Sequence, residues 1–248
     1  MNIVLTNDDG IDAPGLAALE AACRRALPDA CRLVVVAPKE PHSGCGHRVT
    51  TDRPLVLERV GPDRFHVDGT PADCVRLALH ALFSGDEPPL DWVFSGINAG
   101  GNLGVDIHHS GTVAAAREAT LHGVRSLAAS HYHRRESPID WERASRWMAE
   151  ILAAVVGREG AAGEPLNGAQ PLGAGEFWNV NFPHPLEPVE FPAIIECAID
   201  PSPLPIGYDQ ADEGWRYRSR YHERPRLPGG DVDTCFSGRI AVSRGRVV

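Results

Sequence analysis

The run Asn7-Asp8-Asp9-Gly10 is where this sequence most openly offers chemistry. Two adjacent carboxylates repel each other at close range, and such a pair calls for a cation or a shared proton. Neighbouring side chains on a strand point to opposite faces, but a turn lets them converge, and Gly10 permits one. A plain solvated turn would use the same residues, Asp-Gly being common turn chemistry. Two further polar clusters weigh against that bland reading. Pro38 to His47 forms a loop that carries Ser43 and Gly44 and no long apolar side chain. Ser95 to Gly104 contains Asn98 and places four glycines within nine positions, which suggests close backbone approach to a ligand. Ser110-Gly111-Thr112 then opens a helical segment, whose free N–H groups and positive dipole end attract anions. Ser110 also reads as an ordinary N-cap, and both roles can hold at once.

Asp8, Asp9, Ser43 and Asn98 are all oxygen donors. Oxygen ligation suits one Mg²⁺, Mn²⁺ or Ca²⁺ ion rather than zinc. Amides for phosphate beside a hard cation make phosphoryl chemistry the expectation. The cation would polarise phosphoryl oxygens, and Asp8 or Asp9 would act as general base, with a direct aspartyl nucleophile at Asp8 as a variant. Of the nearby histidines (His42, His47, His108 and His109), His47 is the best placed to support a ligand rather than be one. There is no G-x-x-x-x-G-K-[ST] loop and no G-x-G-x-x-G match, so neither a P-loop ATPase nor a dinucleotide site is indicated.

These clusters need a scaffold, and the chain up to about residue 185 supplies one. Strand-like runs at Asn2–Thr6, Arg32–Ala37, Asp91–Ser95, Val124–Ser130 and Phe177–Phe182 alternate with helical patterns at Pro14–Arg25, Pro71–Phe83, Ser110–Leu121 and Trp141–Val156. Pro14 in a first turn fits helix geometry. Near-continuous apolar strands between helices predict an α/β fold, a Rossmann-like three-layer αβα core with a mostly parallel sheet. Ligands in such sheets bind beyond the carboxyl ends of the strands, where all three polar clusters fall. Gly157–Gly175 reads as a loop. Residues 1–185 are expected to form the catalytic core. Residues 186–248 read as a β-rich extension, poor in helix, with short runs at Ala193–Ile199, Trp215–Tyr221 and Arg239–Val248, and serving oligomerisation.

Composition narrows the partners. The 248 residues are 43% hydrophobic and 23% charged, ordinary for a soluble globular chain. A formal net charge of −9 argues against binding a nucleic-acid polymer through a basic surface. The six cysteines are scattered without a C-x-x-C pair, against both a zinc site and a disulfide framework. The N-terminus reads as neither signal peptide nor membrane span, so a cytoplasmic protein without membrane contact is expected.

At these same residues the sequence resembles the SurE family, the stationary-phase survival phosphatases. The resemblance rests on LTNDDGIDAPG (Leu5–Gly15), VAPKEPHSGCGHRVT (Val36–Thr50), GTPADCV (Gly69–Val75), SGINAGGNLG (Ser95–Gly104), SGTVAAA (Ser110–Ala116) and NVNFP (Asn179–Pro183). It implies a nucleotidase acting on nucleoside monophosphates, with one divalent cation per subunit. The family's metal ligands fall on Asp8, Asp9, Ser43 and Asn98, and its phosphate contacts on Ser110, Gly111 and Thr112; Asn98, whose loop shapes the phosphate site, is expected to bind substrate as well. It also implies a homodimer or homotetramer with exchanged C-terminal elements. His108-His109, Cys45 and the Ala-Val-Ser-Arg ending depart from the family's usual residues. Two other readings compete. A haloacid-dehalogenase-type phosphatase would want Asp-x-Asp, and here the acids are adjacent. A non-catalytic nucleotide- or metal-binding module would share the fold without the chemistry.

Overall fold

Residues 1–134, 137–159, 171–184, 190–218 and 221–247 are described by the computed structural model. In chain order the elements are β1 (Asn2–Thr6), α1 (Pro14–Ala26), β2 (Arg32–Pro38), β3 (Leu57–Gly61), β4 (Arg64–Val67), α2 (Pro71–Leu77), β5 (Trp92–Asn98), α3 (Gly111–Leu121), β6 (Arg125–His131), α4 (Trp141–Glu159), β7 (Glu176–Phe182), β8 (Ile194–Glu196), β9 (Tyr208–Ala211), β10 (Gly214–Tyr217), α5 (Asp231–Phe236) and β11 (Ile240–Arg246). The helical pattern expected over Pro71–Phe83 is α2 continued by a wider turn at Ala78–Leu82. The loop expected over Gly157–Gly175 begins later, because α4 runs on to Glu159; residues 160–170 lie outside the described ones.

Side-chain alternation along β1 builds the layers. Ile3 and Leu5 pack with α1 and α4, among Leu16, Leu19, Trp147 and Ile151. Val4 points the other way, to Cys74 and Val75 of α2 and Ala115 and Ala119 of α3. All three β1 residues are fully buried. A strand covered on both faces has no polar side, which is why β1, β2 and β5 read as apolar runs in the sequence.

Among the described residues nine strands form one sheet in the order β3-β4-β2-β1-β5-β6-β7-β11-β8. Pairing is parallel throughout except between β3 and β4 and between β7 and β11. The chain winds outward from β1 to β2 and β4, then crosses back to β5 on the other side of β1. That reversal opens a crevice beyond the carboxyl ends of β1 and β5, where open α/β sheets place ligands.

The core sheet does not stop near residue 185. β8 and β11 belong to it, and β11 pairs with β7 from Ala241–Asn181 to Arg246–Glu176. Gly245 faces the ring of Phe177 so closely that a Cβ there would sit 2.1 Å from Cζ. A strand holding Ser243, Arg244 and Gly245 lacks a long apolar run, so its place inside the sheet is hidden in sequence. The tail also contains helix α5, and the strand expected at Trp215–Tyr221 is β10, which ends at Tyr217 and is followed by a 3-10 turn at Tyr221–Glu223. Among the described strands only β9 and β10 stand apart, as a two-stranded hairpin with Tyr208, Trp215 and Tyr217 exposed.

Candidate active site

Asp8 and Asp9 follow directly on β1, in a turn made by Gly10 at φ +100° and closed by Asn7, whose side-chain amide donates to the Gly10 carbonyl at 2.8 Å. Asp8 is 5% exposed. Its carboxylate accepts a short hydrogen bond from the Thr112 hydroxyl and a further bond from the Thr112 backbone. Burial, helped by the neighbouring charge of Asp9, pushes its pKa up to about 6 against these bonds. Asp9 is less enclosed; it accepts from the Ala99 N–H at 3.2 Å, and burial raises its pKa too. Among the described residues neither carboxylate has an ion-pair partner. Two converging acids without a nearby cationic side chain leave local negative charge uncompensated.

Asn98 ends β5, beside the Ala99–Asp9 bond. Its amide nitrogen donates to the Gly100 carbonyl at 2.8 Å, which leaves Oδ1 as its free acceptor. The Ser43 loop is drawn in by the His42 N–H, which donates to the Asp8 carbonyl at 2.7 Å. Ser43 itself is exposed in the turn before Gly44. Ser110 caps α3, accepting from the Val113 N–H at 3.0 Å. The structure therefore converges all of these segments, but Thr112 and the first turn of α3 hold Asp8 directly. Ser110 and Gly111, themselves buried, form the N-terminal turn of α3 directly beside Asp8.

Hard oxygen donors and a deficit of positive charge fit a divalent cation at Asp8 and Asp9. Among the described residues no group of three or more His, Cys, Asp or Glu side chains is arranged to hold a metal. Neutral oxygens such as those of Ser43 and Asn98, with water, would have to complete the shell.

Gly111 shows how tightly α3 abuts the acids. A Cβ there would lie 2.8 Å from Asp8 Cβ and 2.9 Å from Cys45 Sγ. Gly111→Ala is expected to cost about 1–3 kcal/mol of stability through overpacking. By displacing Asp8 it should also slow turnover roughly a hundredfold. Thermal melts and initial rates check this, and a near wild-type rate would show that α3 does not constrain Asp8.

Sequence reasoning missed the polar lattice under the glycine-rich loop. Asn102 donates from its backbone to Asn181 Oδ1 at 2.8 Å and from its side chain to Ser130 at 2.7 Å. Its carbonyl accepts from both Asn179 and Asn181 at 3.0 Å. Two asparagines two apart on an otherwise apolar strand were the available signal, since they share one face. The loop is held from the tail as well. Asp106 pairs with buried Arg224 at 2.6 Å and accepts from the Tyr221 hydroxyl at 2.7 Å, and Asp231 accepts from the Gly104 N–H at 2.8 Å. In GTPADCV, Thr70 and Asp73 form a capping box for α2, and Asp73 also accepts from the Thr50 N–H at 3.0 Å and hydroxyl at 2.7 Å. That motif anchors the end of the Ser43 loop.

Fold and crevice together define a class: a doubly wound α/β protein with an acid pair at its switch point. The family model described as Survival protein SurE matches residues 3–198. A protein of Nostoc sp. is 45% identical over 248 residues, covering all of both chains. The 5'-nucleotidase SurE of Paramagnetospirillum magneticum is 32% identical over 98% of this chain and 88% of its own. The crystal structure of the SurE protein from Aquifex aeolicus superposes with a TM-score of 0.78 at 28% identity, covering 100% of this chain and 94% of that one. The chain belongs to the SurE family.

Proposed function

We propose that this protein is a divalent-metal-dependent phosphomonoesterase that hydrolyses nucleoside monophosphates to nucleoside and phosphate. The carrying observation is that Asp8 and Asp9, with no ion-pair partner among the described residues, sit side by side at the N-terminal turn of α3. Relatives named 5'-nucleotidase SurE support the substrate class. Asp8, Asp9, Ser43 and Asn98 hold one Mg²⁺, Mn²⁺ or Ca²⁺ ion. When bound, the ion withdraws charge from phosphoryl oxygens and lowers the pKa of the attacking water. Ser110 and Gly111 orient the phosphate at the helix start, where backbone N–H groups and the dipole favour an anion. Thr112 keeps the Asp8 carboxylate in place. Asp9, the more open acid, is the group placed to take a proton from water. The six cysteines are all free, which suits the reducing cytoplasm.

The test is hydrolysis of para-nitrophenyl phosphate with and without added Mn²⁺, followed by nucleoside monophosphates and a phosphodiester. Mn²⁺-dependent release with nucleoside monophosphates preferred is the expected result. Metal-independent turnover, or faster cleavage of the diester, would overturn it.

The tail supports a second element of the reading. The exposed aromatics of the β9–β10 hairpin provide the contact through which subunits associate as a dimer or tetramer. Sedimentation of the full chain checks this, and a monomer at micromolar concentration would refute it.

A further inference from the structure

One buried carboxylate stands outside the chemistry above. Glu118, on α3, is 1% exposed and is met by Arg76 Nε at 2.5 Å, His47 Nε2 at 2.6 Å and His122 Nε2 at 2.9 Å. Burial alone would raise its pKa, but the bonds from His47, Arg76 and His122 outweigh that and hold it down at about 2. A buried carboxylate with three donors is a rigid anchor, because releasing any donor exposes its charge to an apolar surrounding.

The donors come from different places. Arg76 belongs to α2, His122 to the end of Glu118's own helix, and His47 to the loop that carries Ser43. Arg117 Nη1, which can only donate, lies 3.5 Å from His47 Nδ1. Nδ1 is thus the acceptor and Nε2–H the donor to Glu118. The Ser43 loop is then tied at successive points: the His42 N–H to Asp8, the Gly46 N–H to the His109 carbonyl at 3.0 Å, and the His47 ring to Glu118. Ser43 is exposed in a turn between these tied points, so its position depends on them.

We propose that Glu118, acting through His47, is a positioning residue that holds the Ser43 loop over the acid pair and so sets the affinity for the divalent cation. This rests on the cation reading given above. Groups that orient metal ligands without touching the metal typically matter by 10- to 100-fold in affinity, roughly. The two histidines on Glu118 provide the test, since His122 touches the same carboxylate but no part of the site loop. Mn²⁺ binding to the chelator-stripped full chain is read from the electron-paramagnetic-resonance signal of the free ion. His47→Phe is expected to weaken Mn²⁺ about tenfold, while His122→Phe stays within about twofold of wild type. His47→Gln, whose amide can still donate to Glu118, should recover most of the loss. The turnover number of His122→Phe at saturating Mn²⁺ should match wild type. Should His47→Phe not fold, His47→Ala against His122→Ala makes the same comparison at two partly exposed positions. Equal affinities in the His47 and His122 variants would overturn the positioning role. Absence of Mn²⁺ binding by wild type would instead sink the cation reading itself.

Discussion

Asp8→Asn is expected to reduce phosphatase turnover about a thousandfold or more at millimolar Mn²⁺ while leaving the chain folded. The two carboxylates supply the negative charge that attracts a hard cation, and Asn keeps the shape without that charge. Its Oδ1 can still accept from Thr112, so the bond to α3 survives. The same substitution should make the metal-free protein more stable at neutral pH. Folding raises the Asp8 pKa from its ordinary 3.8 to about 6, first through burial and then through the charge of Asp9. The folded state therefore holds its proton more tightly than the unfolded chain. That advantage is fully present below pH 4 and is lost as pH rises through about 6. Two pKa units correspond to on the order of 3 kcal/mol. Asn, neutral at every pH, escapes this penalty. Melts of chelator-stripped protein should coincide near pH 4 and favour the variant above pH 6. Adding Mn²⁺ should raise the wild-type melt and leave the variant's unmoved. A variant that keeps near wild-type turnover would remove Asp8 from the site; a variant that is inactive because it is unfolded would return Asp8 to a structural turn.

The sequence made the layered core legible because its strands are buried on both faces. Val34, Val35 and Val36 of β2 have no polar option, and α1 and α3 announce themselves by spacing and by Pro14 and Ser110. The acid pair, Asn98 and the helix start could be found because polar residues at strand ends have few structural reasons to cluster. What stayed hidden was set by partners far along the chain. The β3–β4 hairpin lies at the sheet edge with Glu58, Arg59 and Val60 exposed, so it carries no apolar alternation to read. β11 owes its place to Phe177, which needs a residue without a side chain at position 245. Glu118 looks like any exposed helix glutamate until α2 and the Ser43 loop fold onto it. Arg224 and Asp231 join the site's support only because the tail returns to the glycine-rich loop. Local sequence carries periodicity and turn chemistry; the pairing of a charge with a donor tens of residues away it does not carry.

Gly15→Ala should be strongly destabilising, although helix propensity alone argues the opposite. Gly15 is the second residue of α1, and within a helix Ala is preferred to Gly by about 1 kcal/mol. Packing reverses the sign. A Cβ at Gly15 would lie 1.9 Å from the Ile97 carbonyl oxygen and 3.1 Å from Trp141 Cη2. The first contact is with backbone, which cannot swing aside as a flexible side chain could. α1 or the end of β5 must move, and β5 is confined on its other flank, where Gly96 approaches the Ala129 carbonyl oxygen. A net loss on the order of 3 kcal/mol follows. Function should suffer as well, because Ile97 immediately precedes Asn98 and the Ala99 N–H that holds Asp9. Ala17→Gly, at an exposed position of the same helix, provides the contrast. It should cost about 1 kcal/mol through propensity and leave the rate untouched. Denaturant melts and Mn²⁺-dependent rates on the two variants separate the effects. A Gly15→Ala protein as stable as wild type would mean that α1 does not press on β5, and the last glycine of the LTNDDGIDAPG stretch would need another explanation.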